Sequence, residues 1–407
     1  MTDSPAAPHS RVRELIVVGV LALGFGLVGI DRFLISTLFP VIAKDLHLNY
    51  GDIGMIGGAL ALAWGIAALF MGNMSDTIGR RRVLVGALIV FSLLIGASGL
   101  AGGLLALVAV RFLMGLADGA YTPVSIAATI DASPPRRHGL NVGIQQTMLP
   151  LFGLGLAPLL VTQLLHVVGW RMIFSIFTLP GLVVAFLLWR LIPAAAARDP
   201  AAPPRAGAIA DWRQVIGFSN IKIAMGMMLC WLTCLITCAT LLPSYLVDHL
   251  HLDPAAMGGV MSAIGLGSVV GTLIMPALSD RIGRKPVMII GAAGAALAMI
   301  VLMRTGADPA RLFAALFMVN FFNNALITLT VGPISSETAP PHLIATASGV
   351  VIATGELLGG FLAPIAAGQV AQQWGIAHIL WLPIIGLTVG VGLTIALKET
   401  LAPRAGV

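Results

Sequence analysis

Five ionisable side chains lie inside long apolar stretches of this sequence, where charged residues are otherwise rare: Asp31, Arg32, Arg111, Asp118 and Glu356. Charge inside an apolar layer is costly, so each of the five is a functional candidate. Arg offers a rigid fork of N–H donors that matches a carboxylate and stays charged. A buried carboxyl group can take up a proton, since burial favours its neutral form. The set therefore suits anion binding that is linked to proton binding.

Helical spacing indicates which of these side chains can act together. Arg111 and Asp118 are seven residues apart, about two turns with a drift of roughly 20°, so they share one face. Asp31 and Arg32 are adjacent and point about 100° apart, so they cannot both face one partner. The alternative interpretation is that these four residues form salt bridges that only brace the helices.

Several weaker candidates accompany the charged set. Amide and hydroxyl groups in apolar segments bind either a ligand or a neighbouring helix. On that basis Gln146, Tyr121 and Asn324 are candidate substrate contacts.

The sequence has no cluster of metal ligands and no Gly-rich phosphate-binding motif, so we expect no metal, no cofactor and no enzymatic activity.

The composition indicates the elements that must hold these residues. Of 407 residues, 58% are hydrophobic and 10% are charged, against about a quarter charged in soluble domains. Apolar runs of about 20 residues, long enough to cross a bilayer, recur twelve times. The sequence therefore predicts an all-α membrane protein with twelve transmembrane helices. Its net charge of +6 sits in short basic clusters between these runs, which is typical of topology signals, and we expect no nucleic-acid binding.

The chain divides into two similar halves. A polar stretch rich in Ala, Pro and Arg, residues 193–220, predicts a cytoplasmic linker between six-helix bundles at 1–192 and 221–407. The segments GNMSDTIGRRR and PALSDRIGRKP follow the second and eighth runs. They align Asp76 with Asp280, Gly79 with Gly283 and Arg80 with Arg284. Such an internal repeat predicts two pseudo-symmetric bundles.

The distribution of basic residues predicts the orientation. With both termini in the cytoplasm, seventeen of the 23 Lys and Arg residues fall on the cytoplasmic side and four outside. This positive-inside bias predicts cytoplasmic termini in a plasma membrane, here a bacterial inner membrane.

The repeated loop resembles the major facilitator superfamily, whose hallmark is Gly-x-x-x-Asp-Arg-x-Gly-Arg-Arg after the second span, echoed after the eighth. Thr77 and Pro276 depart from this pattern. The resemblance implies that Asp76, Arg80, Asp280 and Arg284 form a conformational latch between the halves on the cytoplasmic side.

Two further segments resemble the anion:cation symporter branch of that superfamily. GIDRFLISTLFPVIAKDLHL carries its Asp-Arg pair, and RFLMGLADGAYTP carries its Arg followed by an acid seven residues later, although Asp118 stands where Glu is common. The resemblance implies that Arg32 and Arg111 bind an organic anion and that Asp31 and Asp118 take up protons. Glu356 stands where the branch often has a neutral residue. Three alternative roles stay open for it: a third proton site, a substrate contact or an ion-pair partner of an Arg.

The resulting hypothesis is a proton-coupled symporter that imports a small organic anion, such as a sugar acid or another carboxylate, by alternating access, and that works as a monomer. A proton-driven efflux antiporter for drugs or a metabolite is the alternative. Residues 153–162 keep a Gly and Pro158 of the antiporter pattern but lack its terminal glycine pair, which disfavours that alternative. A membrane sensor without transport activity is the third possibility.

Overall fold

The computed structural model describes residues 11–134, 137–193, 208–340 and 343–400, with the side chains at 69–77, 139, 208–211 and 345 outside this description. Within these ranges the regular elements are helices, and twelve are long and apolar enough to cross a membrane. The prediction of twelve spans is thereby confirmed. Helices suit a bilayer because they satisfy their backbone hydrogen bonds internally.

The first half contains six of these helices: α1 Arg11–Leu46, α2 Tyr50–Ile78, α3 Arg80–Ser98, α4 Leu104–Ala132, α5 Leu140–Leu164 and α6 Trp170–Leu191. The second half contains the other six: α7 Ser219–His249, α8 Pro254–Ile282, α9 Arg284–Arg304, α10 Pro309–Thr338, α11 Thr346–Trp374 and α12 Ile376–Ala396.

The equivalent helices α5 and α11 share an irregularity. Each contains a wider π-helical segment, Pro150–Leu156 in α5 and Gly355–Leu362 in α11. Pro158 and Pro364 follow these segments and lack the N–H that would bond to the preceding turn. Such π segments often mark functional sites, and the second one carries Glu356.

The segment between the halves is partly helical. A short helix, Ala208–Gly217, lies within the stretch that the sequence predicts to be linker, and α7 begins directly after it at Ser219. The buried side chain of Val215 anchors this helix. Residues 194–207 lie outside the described part of the chain.

The halves pack closely at one end of the bundle, where the α1–α2 and α7–α8 loops lie. A Cβ added at Gly54 of α2 would lie 2.4 Å from the Pro364 carbonyl oxygen of α11. Closer to the middle of the bundle, a Cβ added at Gly265 of α8 would lie 2.1 Å from the Gly155 amide nitrogen of α5. Only glycine permits such backbone approach.

A hydrogen bond joins the halves at the same end. The Tyr50 hydroxyl donates to Asp248 Oδ2 at 3.0 Å. The structure is closed at this end, which the charge distribution predicts to be the outer one.

Candidate functional site

Asp31 and Arg111 meet near the middle of the bundle. Helix α4 packs tightly on α2 at Gly115, where an added Cβ would lie 2.3 Å from the Leu60 carbonyl oxygen. Arg111 then reaches α1, where its Nη1 donates to the Asp31 carbonyl oxygen at 2.7 Å and lies 3.5 Å from Asp31 Oδ1. The contact explains how one helix holds the guanidinium of another in a fixed orientation.

Asp118 completes a buried cluster with these two residues. All three side chains are at most 1% exposed, so two carboxyl groups and a guanidinium are held close together away from water. Two carboxyl groups close together in a dry site do not both ionise readily. With one proton, the cluster of two acids and Arg111 is electrically neutral.

This cluster also holds unused hydrogen-bonding atoms. Within the described residues, Arg111 Nε and Nη2 have no hydrogen-bond partner, and neither do the carboxyl oxygens of Asp31 and Asp118. Buried polar atoms normally have hydrogen-bond partners, so these donors and acceptors are available to a ligand or to water.

Arg32 and Glu356 form an ion pair that joins the two halves. Arg32 Nη2 lies 2.8 Å from Glu356 Oε2, and Nη1 lies 3.4 Å from Oε1, so the contact is bidentate. The guanidinium carbon also lies 4.6 Å from the ring centre of Trp64, a cation–π contact. Of the roles that the sequence left open for Glu356, the geometry corresponds to pairing with an Arg across the interface.

The two arginines line one small cavity between the halves. Its volume is about 20 Å³, and its polar lining includes Arg32, Arg111, Ser36 and Thr240. That space suits a water molecule but no organic acid. A ligand therefore enters only if the halves separate or the Arg32–Glu356 pair opens.

The weaker candidates do not join this cluster. Tyr121 is fully buried, and its hydroxyl donates to the Leu21 carbonyl oxygen at 3.1 Å. Asn324 donates to the Ser268 hydroxyl within the second half. Gln146 is exposed on α5. The sequence analysis missed Trp64, since a single Trp in an apolar run carries no signal of its contact with Arg32.

In the described part of the chain, the predicted latch residues Arg80 and Arg284 contact partners within their own halves, which differs from the expected contact across the interface. Arg80 pairs with Asp131 at the end of α4 and donates to the Ala127 carbonyl oxygen at 2.9 Å. Arg284 pairs with Asp280 at 2.5 Å and Glu337 at 2.8 Å. The physical reason is reach, because each Arg begins a helix beside the last turn of α4 or α10 in its own bundle. The side chain of Asp76 lies outside the described residues.

Comparison with known proteins gives a consistent match along the chain. The family model described as Major Facilitator Superfamily matches residues 21–364 and again 224–405. A probable sulfoacetate transporter of Cupriavidus necator is 25% identical, covering 93% of this chain and 91% of that protein. A 3-(3-hydroxy-phenyl)propionate transporter of Escherichia coli is 26% identical, covering 90% of this chain and 89% of that protein.

A solved structure shares the fold. The inward-facing, unoccupied crystal structure of a bacterial homologue of the human lysosomal transporter Spinster superposes with a TM-score of 0.79 at 16% identity. The match covers 95% of this chain and 97% of that chain.

Proposed function

The chain belongs to the Major Facilitator Superfamily, and from that premise we propose that it is a proton-coupled symporter that imports a small organic anion. It is a multi-pass membrane protein, and we place it in a bacterial inner membrane with both termini in the cytoplasm, in line with its basic loops. The relatives named above carry organic acids according to their descriptions. Transport by alternating access would move the central site between the two sides of the membrane.

One observation carries the substrate class. Arg32 and Arg111 line a single cavity at the junction of the halves, and Arg111 has unpartnered N–H groups. Arg recognises carboxylate and related anions through parallel N–H donors. A small organic anion bound there would satisfy the orphaned nitrogens of Arg111.

Proton coupling follows from the charge of the five-residue site. A net charge in a dry membrane site is costly, so an occluded site tends towards neutrality. In the empty site, two charged carboxylates balance Arg32 and Arg111, and the third acid among Asp31, Asp118 and Glu356 holds a proton. A monovalent anion replaces one of those negative charges, so a second acid must become neutral. One proton therefore accompanies each anion.

Uptake by purified protein in liposomes tests this function. The panel comprises sulfoacetate, 3-(3-hydroxyphenyl)propionate, glucuronate and succinate, each supplied outside with the outer pH lower than the inner pH. We expect accumulation of at least one anion, abolished when the pH gradient is collapsed by an ionophore. Liposomes without protein are the control.

An efflux antiporter is the second candidate, because Glu356 adds an acid that would suit a cationic substrate. It predicts no anion uptake in this assay and proton-driven exchange of cationic drugs instead. That result would overturn the symporter.

A further inference from the structure

We propose that Glu356 is an internal substitute for the substrate's carboxylate on Arg32, and that its displacement sets the proton-to-anion coupling. This inference rests on the proposed function and names the residue that converts anion binding into proton uptake.

The geometry of the Arg32–Glu356 contact supports the replacement of the Glu356 carboxylate by a substrate carboxylate. The Glu356 carboxylate occupies both Nη groups of Arg32, at 2.8 Å and 3.4 Å, which is the arrangement that a ligand carboxylate would adopt. Arg32 is only 9% exposed in its side chain, and Glu356 covers its two Nη groups. A substrate must take the position of Glu356 to use this fork.

The local geometry of α11 places the Glu356 carboxylate beside Arg32. Glu356 lies in the π-helical segment Gly355–Leu362, and a Cβ at Gly360 would lie 2.7 Å from Glu356 Oε2. Any larger residue at that position would push against the carboxylate. The absence of a side chain at 360 therefore gives Glu356 room beside Arg32.

The surroundings of the ion pair make Glu356 the acid that must take up a proton when a substrate displaces it. The charged groups beside the pair are Asp31, Arg111 and Asp118, whose charges balance among themselves when one of the two acids is neutral. The cavity faces of α2 and α7 contribute neutral residues, including Gly57, Leu60, Ile236 and Thr240. Once displaced, Glu356 faces these walls without a cation and becomes stable only as the neutral acid.

The step balances in charge and atoms. On the outer side, the substrate carboxylate takes the two N–H donors of Arg32, and the released Glu356 carboxylate binds one proton from outer water. On the inner side, the substrate leaves, Glu356 gives that proton to inner water, and the Arg32–Glu356 pair forms again. The empty carrier returns with Arg32 neutralised, which lowers the barrier for passage through the dry occluded state.

Two expected results distinguish this inference from a purely structural role of the Arg32–Glu356 ion pair. Without the Glu356 carboxylate, the empty carrier must return with Arg32 unbalanced, so net uptake stops. The loaded carrier still moves, because the substrate itself neutralises Arg32. Removing an internal competitor also strengthens anion binding, since a site blocked part of the time has a weaker apparent affinity.

The experiment compares Glu356→Gln with wild type in liposomes, using the four anions of the uptake panel. Net uptake into empty vesicles under an acid-outside gradient is measured beside exchange, with the same anion on both sides at equal pH. We expect net uptake of Glu356→Gln to fall roughly tenfold or more while exchange stays within about twofold of wild type. Its exchange should also reach half-maximal rate at a lower anion concentration and depend less on pH.

Two further variants complete the design. Glu356→Asp keeps the charge on a shorter arm and should recover part of the net uptake. Asp45→Asn is the matched control, because it removes the same charge from an exposed ion pair with Arg171 inside one half, and it should behave like wild type.

The outcomes are separable. If wild type accumulates an anion and Glu356→Gln accumulates it equally well, the inference is wrong and the proposed function stands. Loss of both exchange and net uptake in Glu356→Gln, with recovery of both in Glu356→Asp, also overturns the inference, because the loaded carrier then needs the carboxylate. If wild type accumulates none of the four anions, the proposed function fails first.

Discussion

The two arginines of the site have the same side chain but different partners. Arg111 is held within the first half by the Asp31 carbonyl oxygen and keeps Nε and Nη2 unpartnered within the described structure. Arg32 gives both Nη groups to Glu356 of the second half. In the proposed anion site, Arg111 therefore stays available throughout, whereas Arg32 becomes available only when the Arg32–Glu356 pair opens.

Replacing Arg111 with Lys tests the importance of the fork. Lys keeps the charge but presents a single point donor, so it cannot hold the Asp31 carbonyl and a substrate carboxylate in one plane. We expect the initial rate of anion uptake under an acid-outside gradient to fall by about tenfold or more. Arg171→Lys changes an exposed arginine at the outer end and serves as the control. A rate for Arg111→Lys within about twofold of wild type would show that charge alone suffices.

The sequence predicts the candidate residues better than it predicts their contacts. The rarity of charge in apolar runs singles out Asp31, Arg32, Arg111, Asp118 and Glu356, and the structure brings them together as two groups, Asp31–Arg111–Asp118 and Arg32–Glu356. The partner of Glu356 depends on the approach of two helices 324 residues apart, which no local pattern encodes. The hydroxyl of Tyr121, one of the weaker candidates, donates to a backbone carbonyl oxygen in its own half.

At the scale of elements, apolar run length accounts for the twelve helices, because a bilayer requires about 20 apolar residues per crossing and internal backbone hydrogen bonding. The repeated loop motif accounts for the division into halves. The length of an apolar run does not predict the π segments of α5 and α11. These segments change which face of the helix the following residues occupy. It also misses the helix Ala208–Gly217, which is too short to register as a span.

The glycine contact between α5 and α8 yields a prediction for the closed outer end. Valine at position 265 would place its Cβ 2.1 Å from the Gly155 amide nitrogen, so the halves must separate there. We expect Gly265→Val to populate the outward-open state and to lose net uptake. The distance between spin labels at Lys44 and His249, exposed positions of opposite halves at this end, should increase.

Gly86→Val is the matched control for that substitution, since nothing lies within 4 Å of a Cβ at Gly86. It should leave both the label distance and the uptake rate unchanged. An unaltered label distance in Gly265→Val would show that this contact does not keep the halves closed at the outer end.

At the scale of the whole molecule, the two bundles meet at an outer hydrogen bond and at a central ion pair. Tyr50 and Asp248 join the halves at the predicted outer end, and Arg32 and Glu356 join them in the middle. At the opposite end, the ion pairs of Arg80, Arg137 and Arg284 lie within single halves. This distribution fits rocking of two rigid bundles about a central site, in which an anion replaces the central contact.

The central claim, that each anion enters with a proton, is tested most directly by following external pH. Protein in liposomes is placed in a weakly buffered medium without an imposed gradient, and an anion that it accumulates is added outside. The account predicts immediate alkalinisation of the medium, in a one-to-one ratio with anion uptake for a monovalent substrate. Anion uptake with no change in external pH, or with acidification, would contradict it.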